Sequence, residues 1–130
     1  VILGILAAFA VPKFMGLEGQ ARIAAVKSIG GSMESADSMA HGIWEATATP
    51  VSPLTINGVA VAFTNTYPST AGIGLLLDQS TSSGYANPAN GEYVPNGAAT
   101  ATCRARYANA TVVGGQVVAP VVTLTITNCN

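Results

Sequence analysis

Between Pro12 and Pro50 the chain carries no proline. Proline removes a helical donor and clashes with the carbonyl one turn back, so this stretch is free to run as one helix. Apolar or small residues recur along it at helical spacing: Val26, Ile29, Met33, Ala36, Ala40, Ile43 and Thr47. Upstream lies VILGILAAFAV, uncharged throughout, and residues 1 to about 47 read as a single helix. At the helical rise such a helix is ~70 Å long, whereas a compact domain of this chain length is only about 30 Å across. One end must protrude, and the most apolar end is the expected one. An exposed apolar rod is buried in lipid or in copies of itself. We therefore divide the chain into a protruding apolar helix, residues 1–25, and a globular head, residues 26–130.

The opening segment is too short to cross a bilayer alone: Val1 to Pro12 spans ~17 Å of helix against a hydrocarbon core of ~30 Å. It also lacks the basic flank of a signal peptide. Further along, Glu18 and Arg22 form a favourable pair one turn apart. Small residues lie on more than one face (Ala21, Ala24, Ala25, Ser28, Ser32, Ser35), which lets other surfaces approach closely. One side is expected to meet the head and another side something else. Gly30-Gly31 weakens the middle of the helix, and a bend is expected there.

Charged residues make up 8% of the 130-residue chain, with a net charge of −1, against roughly 25% in ordinary soluble domains. Nothing in that charge favours nucleic acid or an anionic membrane surface. The Thr/Asn-rich remainder suits an extracellular protein. In that setting the two cysteines, Cys103 and Cys129, suggest a disulfide, which the chain-entropy argument values at ~3.5 kcal/mol. Two buried thiols are the alternative.

After Thr47 the pattern changes to extended structure. Asn57-Gly58 between extended runs signals a type I′ hairpin. YPSTAGIGLLLDQ fits a short helix capped by Ser69 or Thr70, with Leu75, Leu76 and Leu77 buried. Ser82 to Gly97, dense in Gly, Asn and Pro, reads as a loop. TATCRARY alternates Ala101, Cys103, Ala105 and Tyr107 against Thr102, Arg104 and Arg106. A hairpin is expected about Gly114-Gly115. In VVTLTITNC, Val122, Leu124 and Ile126 alternate with Thr123, Thr125 and Thr127. Strict alternation would put Cys129 with the threonines, so the strand is expected to end before it. The fold class is α+β, a long N-terminal helix packed on a C-terminal antiparallel sheet.

VILGILAAFAVPKF followed by a small-residue helix resembles the N-terminal region of type IV pilins. NGVAV, YPSTAGI, TCRARY and the terminal TITNC resemble the mannose-sensitive haemagglutinin-type members of that family. The resemblance covers the helix strongly and the head moderately. It implies a subunit first held by its helix in the inner membrane, then packed by the assembly machinery with identical subunits into an extracellular filament on a Gram-negative surface, for attachment or motility. It implies a disulfide between Cys103 and Cys129 that staples the terminal loop. It implies filament-core packing by Val1, Ile2, Leu3, Ile5, Leu6, Ala7, Ala8, Phe9, Val11 and Phe14. It also implies melting of the helix between Gly4 and Pro12, for which a regular kinked helix is the alternative. Family chains begin on a methylated aromatic residue with a glutamate soon after. No residue here matches either, so the family's glutamate-to-amine pairing is carried over to none, and further residues are expected upstream of Val1.

The alternative within the same class is a type II secretion pseudopilin or a minor pilin. The major pseudopilin typically holds calcium in its C-terminal loops and lacks a disulfide there. After Ser80 this chain has a single acidic residue, Glu92, too few for a hard-cation cage. A soluble lectin module would not need the apolar helix. No catalytic residue, metal site, cofactor or nucleic-acid partner is expected. Glu34, Asp37, His41 and Glu45 share one helical stripe and offer metal-ligand types, but a solvated or subunit-contacting stripe is the simpler reading. No nucleophile motif or phosphate-binding glycine pattern accompanies them. Trp44 reads as core, Arg104 and Arg106 as solvent or subunit contacts. Asn109-Ala110-Thr111 fits a glycosylation acceptor, expected to be unused.

Overall fold

The computed structural model describes residues 16–77 and 84–130. The expected filament-core positions Val1 to Phe14, with Gly4 and Pro12, lie outside the described residues. Helix α1 (Leu17–Ala46, 30 residues) is followed by β1 (Leu54–Ile56), β2 (Val59–Val61), β3 (Phe63–Thr64), β4 (Tyr67–Pro68) and α2 (Thr70–Leu76). Then come β5 (Tyr85–Ala86), β6 (Glu92–Pro95), β7 (Cys103–Ala108), β8 (Thr111–Val113), β9 (Gln116–Val118) and β10 (Val121–Ile126). The main sheet is antiparallel, in the order β10-β7-β6-β5.

Helix α1 buries Val26, Gly30, Met33, Ala36 and Ala40, the stripe its sequence spacing points to. Glu18 in the first turn complements the helix dipole. At the far end Thr47 Oγ1 donates to the Ile43 carbonyl at 2.7 Å, satisfying a group the helix leaves open. The helix runs unbroken through Gly30-Gly31. Gly30 has a packing reason: a Cβ there would strike the end of the Leu124 side chain at 2.5 Å, whereas Gly31 faces open space. Packing on α1 reaches back beyond Val26, since Ile23 joins the core and Gly19 sits beneath the side chain of Asn130.

The core has two parts. The larger joins Val26, Met33 and Ala36 of α1 to Ile73, Tyr93, Ala105, Tyr107 and the two cysteines. The smaller joins Ala40 to Ile56, Val61 and Phe63, with Trp44 stacked on Phe63 at 4.7 Å. Trp44 and its neighbour Ile43 are thus half-buried and packed against this smaller core.

The hairpin at Asn57-Gly58 forms, with φ positive at both residues (50° and 80°), as a type I′ turn requires. The Gly114-Gly115 hairpin does likewise at 58° and 81°. In β7, Cys103, Ala105 and Tyr107 are buried and Arg106 is exposed. β10 sets Ile126, Leu124 and Val122 opposite these three, so its apolar residues share the face turned to α1.

Two expectations fail. Of the three leucines only Leu77 is buried: Leu76 is half-buried and Leu75 is 48% exposed. Helix α2, capped by Ser69 Oγ accepting from Gly72 N at 3.0 Å, turns Ile73 and then Leu77 inward. The helical step leaves Leu75 outside. The stretch read as a loop up to Gly97 contains β5 and β6, and β6 is an inner strand with all four residues buried. Burial on both faces removes the alternation that marks a strand. Gly91 and Gly97, at φ 76° and 82°, bracket a pairing that tertiary contacts impose on turn-rich sequence.

Gly72 and Gly31 give opposite expectations. A Cβ at Gly72 meets the backbone oxygen of Ala62, which cannot give way. Gly72→Ala should lower the unfolding free energy by about 1–3 kcal/mol. Gly31→Ala, in open space, should raise it by about 0.5–1 kcal/mol. Urea denaturation of both variants checks the pair.

Candidate functional site

The described residues offer two clasps and several open surfaces as candidate functional features. The first clasp closes the segment after β10 onto the start of β7. Cys103 and Cys129 form a disulfide across 26 residues, with Cα atoms 5.0 Å apart. β10 ends at Ile126, which frees Cys129 from the strand's alternation and lets it turn inward to Cys103. The pairing is continued by Asn128 N to the Thr102 carbonyl (3.2 Å) and by Thr102 Oγ1 to the Asn128 carbonyl (2.8 Å). Arg22 reaches from α1 to donate to the Cys129 carbonyl at 3.1 Å while holding Glu18 at 2.7 Å. The helical spacing predicts the Glu18 contact. The Cys129 contact, across the whole chain, has no sequence signal.

The second clasp lies midway along α1. Tyr107 Oη is 2.7 Å from Asp37 Oδ1 and 2.8 Å from the Pro68 carbonyl oxygen. Burial raises the Asp37 carboxyl above its ordinary value, opposed in part by the Tyr107 hydrogen bond and by the charge of His41. Burial, reinforced by Asp37, pushes the Tyr107 hydroxyl far up. His41 stacks on Tyr67 at 3.9 Å, and its Nδ1 donates to the Thr66 carbonyl at 2.9 Å. Asp37 and His41 are therefore engaged by β7 and the β3–β4 hairpin, while Glu34 and Glu45 stay exposed. Among the described residues no three His, Cys, Asp or Glu side chains are placed to hold a metal.

Two of the remaining polar candidates, Arg104 and Asn109, have partners. Arg104 pairs with Glu92 Oε1 at 3.1 Å, while Arg106 is exposed. Asn109 Oδ1 accepts from Thr70 N at 2.7 Å, so the residue of the acceptor triplet holds the start of α2.

Two apolar areas stay open. Met39, Val59 and Leu75, each more than a third exposed, border a groove of about 290 Å³ between α1, α2 and the β1–β2 hairpin. The β8–β9 hairpin exposes Val112, Val113, Val117 and Val118. Along α1, Ala21, Ala24, Ser28, Gly31 and Ser35 face outward with nothing of the described chain over them. No described helix is long and apolar enough to cross a membrane.

No family model matches the sequence, no curated protein is significantly similar to it, and no solved structure matches it significantly.

Replacing both Cys103 and Cys129 by serine should cost roughly 2–5 kcal/mol of stability, the usual loss for a small disulfide-closed domain. Urea unfolding of the variant beside the oxidised parent reads this directly.

Proposed function

We propose that the chain is a structural subunit of an extracellular filament of the type IV pilus kind, serving surface attachment or motility of a Gram-negative cell. The observation that carries this reading is a helix covered along one stripe, with an apolar run upstream of it in the sequence. The stripe of α1 from Val26 to Ala40 is covered by the disulfide-closed sheet and by the hairpins before it, while the sequence further upstream, Val1 to Pro12, is an uncharged apolar run that needs a cover of its own. Copies of the same helix supply that cover. The outward-facing small residues of α1 permit close helix approach, and the open groove and valine hairpin offer the head apolar contact area for neighbours. The partners are then identical subunits, the machinery that assembles them, and the inner membrane before assembly.

Ala8→Asp places a charge in the segment read as filament core. The expected outcome is no filaments by electron microscopy, with the head still folded and its disulfide intact. Normal filaments from this variant would overturn the reading. Short stubs from the unaltered chain would favour a pseudopilin or minor subunit instead.

A further inference from the structure

The clasp at Tyr107 has one proton too few. A phenol carries one hydrogen, a backbone carbonyl only accepts, and an ionised carboxylate only accepts. Yet Tyr107 Oη stands 2.7 Å from Asp37 Oδ1 and 2.8 Å from the Pro68 oxygen. Both distances are at the mode for a full O–H···O hydrogen bond. A single hydrogen shared between them would sit off both lines and lengthen both contacts. With Asp37 ionised, one of the two short approaches is oxygen against oxygen with no proton between. Tyr107 is 1% exposed, so water does not offer a ready substitute.

The surroundings do not favour an ionised Asp37. On α1, His41 lies one turn on, with its ring stacked on Tyr67 and Nδ1 committed to the Thr66 carbonyl. Glu34 lies one turn back and is exposed. β4 contributes Tyr67, β7 contributes Tyr107, and β6 contributes Tyr93 on the same face of the sheet. Glu92, Arg104 and Arg106 belong to the opposite face, where Glu92 and Arg104 pair with each other. α2 and β10 carry no ionisable side chain. Among the described residues no lysine or arginine forms an ion pair with Asp37. Burial outweighs the two opposing influences and lifts the carboxyl above its ordinary value.

We propose that the folded head holds Asp37 as a neutral carboxylic acid to a higher pH than the unfolded chain does, with Asp37 donating its proton to Tyr107 Oη, which donates its own to the Pro68 carbonyl. The three groups then form a chain in which every short contact holds a proton. That chain ties α1 to β7 and to the corner where Ser69 caps α2. Loss of the Asp37 proton leaves Tyr107 one hydrogen for two acceptors, and one contact must open. The head thus contains a proton-sensitive joint between its long helix and the β4–α2 corner. Because the folded-state value lies above the unfolded one, the contribution is complete below the ordinary aspartate range. It is lost as pH rises through the folded value.

Two measurements on the full chain test this. In the first, the Asp37 carboxyl is titrated by carbon NMR in the unaltered protein. Its midpoint should lie above the ordinary value of about 3.9. In the second, urea unfolding is followed against pH for the parent and for Asp37→Asn, whose amide supplies a permanent donor to Tyr107. The parent should lose stability relative to the variant as pH rises towards neutrality. A midpoint at or below the ordinary value overturns the proposal, and so do parallel stability profiles. If the variant does not fold, the titration alone decides.

Discussion

Everything in the head depends on how closely α1 approaches the sheet. The contact is made by small side chains, Gly30, Ala36 and Ala40, alternating with Val26 and Met33. Gly30 lets Leu124 of the edge strand lie directly on the helix backbone. This fixes the distance at which Tyr107 can span from β7 to Asp37. Leu124 and Ile126 nonetheless remain more than a third exposed, because β10 is the last strand of its sheet and nothing of the described chain lies beyond it. The helix is gripped over its middle and far end, and the grip weakens at the sheet's outer edge.

The disulfide holds the segment that follows an edge strand, where neighbours are few. Here the bond to Cys103, the Thr102–Asn128 exchange and Arg22 all act on the last residues. Arg22 matters in a second way. Its guanidinium is mostly covered, and it spends one donor on the Cys129 carbonyl and another on Glu18, linking the first turns of α1 to the C-terminus. The start of the described helix is therefore anchored by the end of the chain, as well as by the core.

Periodic features were legible in the sequence; contacts between distant segments were not. The stripe from Val26 to Ile43, the alternation in β7 and the two glycine hairpins follow from spacing and turn chemistry alone. β6 could not be read this way, because Glu92–Pro95 is buried on both faces and set among turn residues. Leu75 is not legible as exposed, because three consecutive leucines hide which one the helical step turns outward. Arg22–Cys129 and Tyr107–Asp37 join positions 107 and 70 residues apart, and no local pattern encodes such a meeting. Cys129 lies between the two cases. Its residue type pointed to a disulfide, while its parity in the strand pointed away, and the end of β10 at Ile126 reconciles them.

The distribution of apolar surface bears on the proposed polymer. The core is complete around α1's buried stripe without help from the groove at Met39, Val59 and Leu75 or from the valines of β8–β9. Those residues contribute little to the stability of the head on its own, and exposed valines on a two-stranded hairpin invite association. A chain with few charges has little electrostatic repulsion to prevent it. Their retention on the surface is costly for an isolated molecule and reasonable for one whose neighbours cover them. The same logic applies along α1, where alanine, serine and glycine occupy positions that an isolated amphipathic helix would fill with charge. Head stability and the proposed association thus rest on different residues, so a defect in the proposed assembly would leave the sheet domain folded.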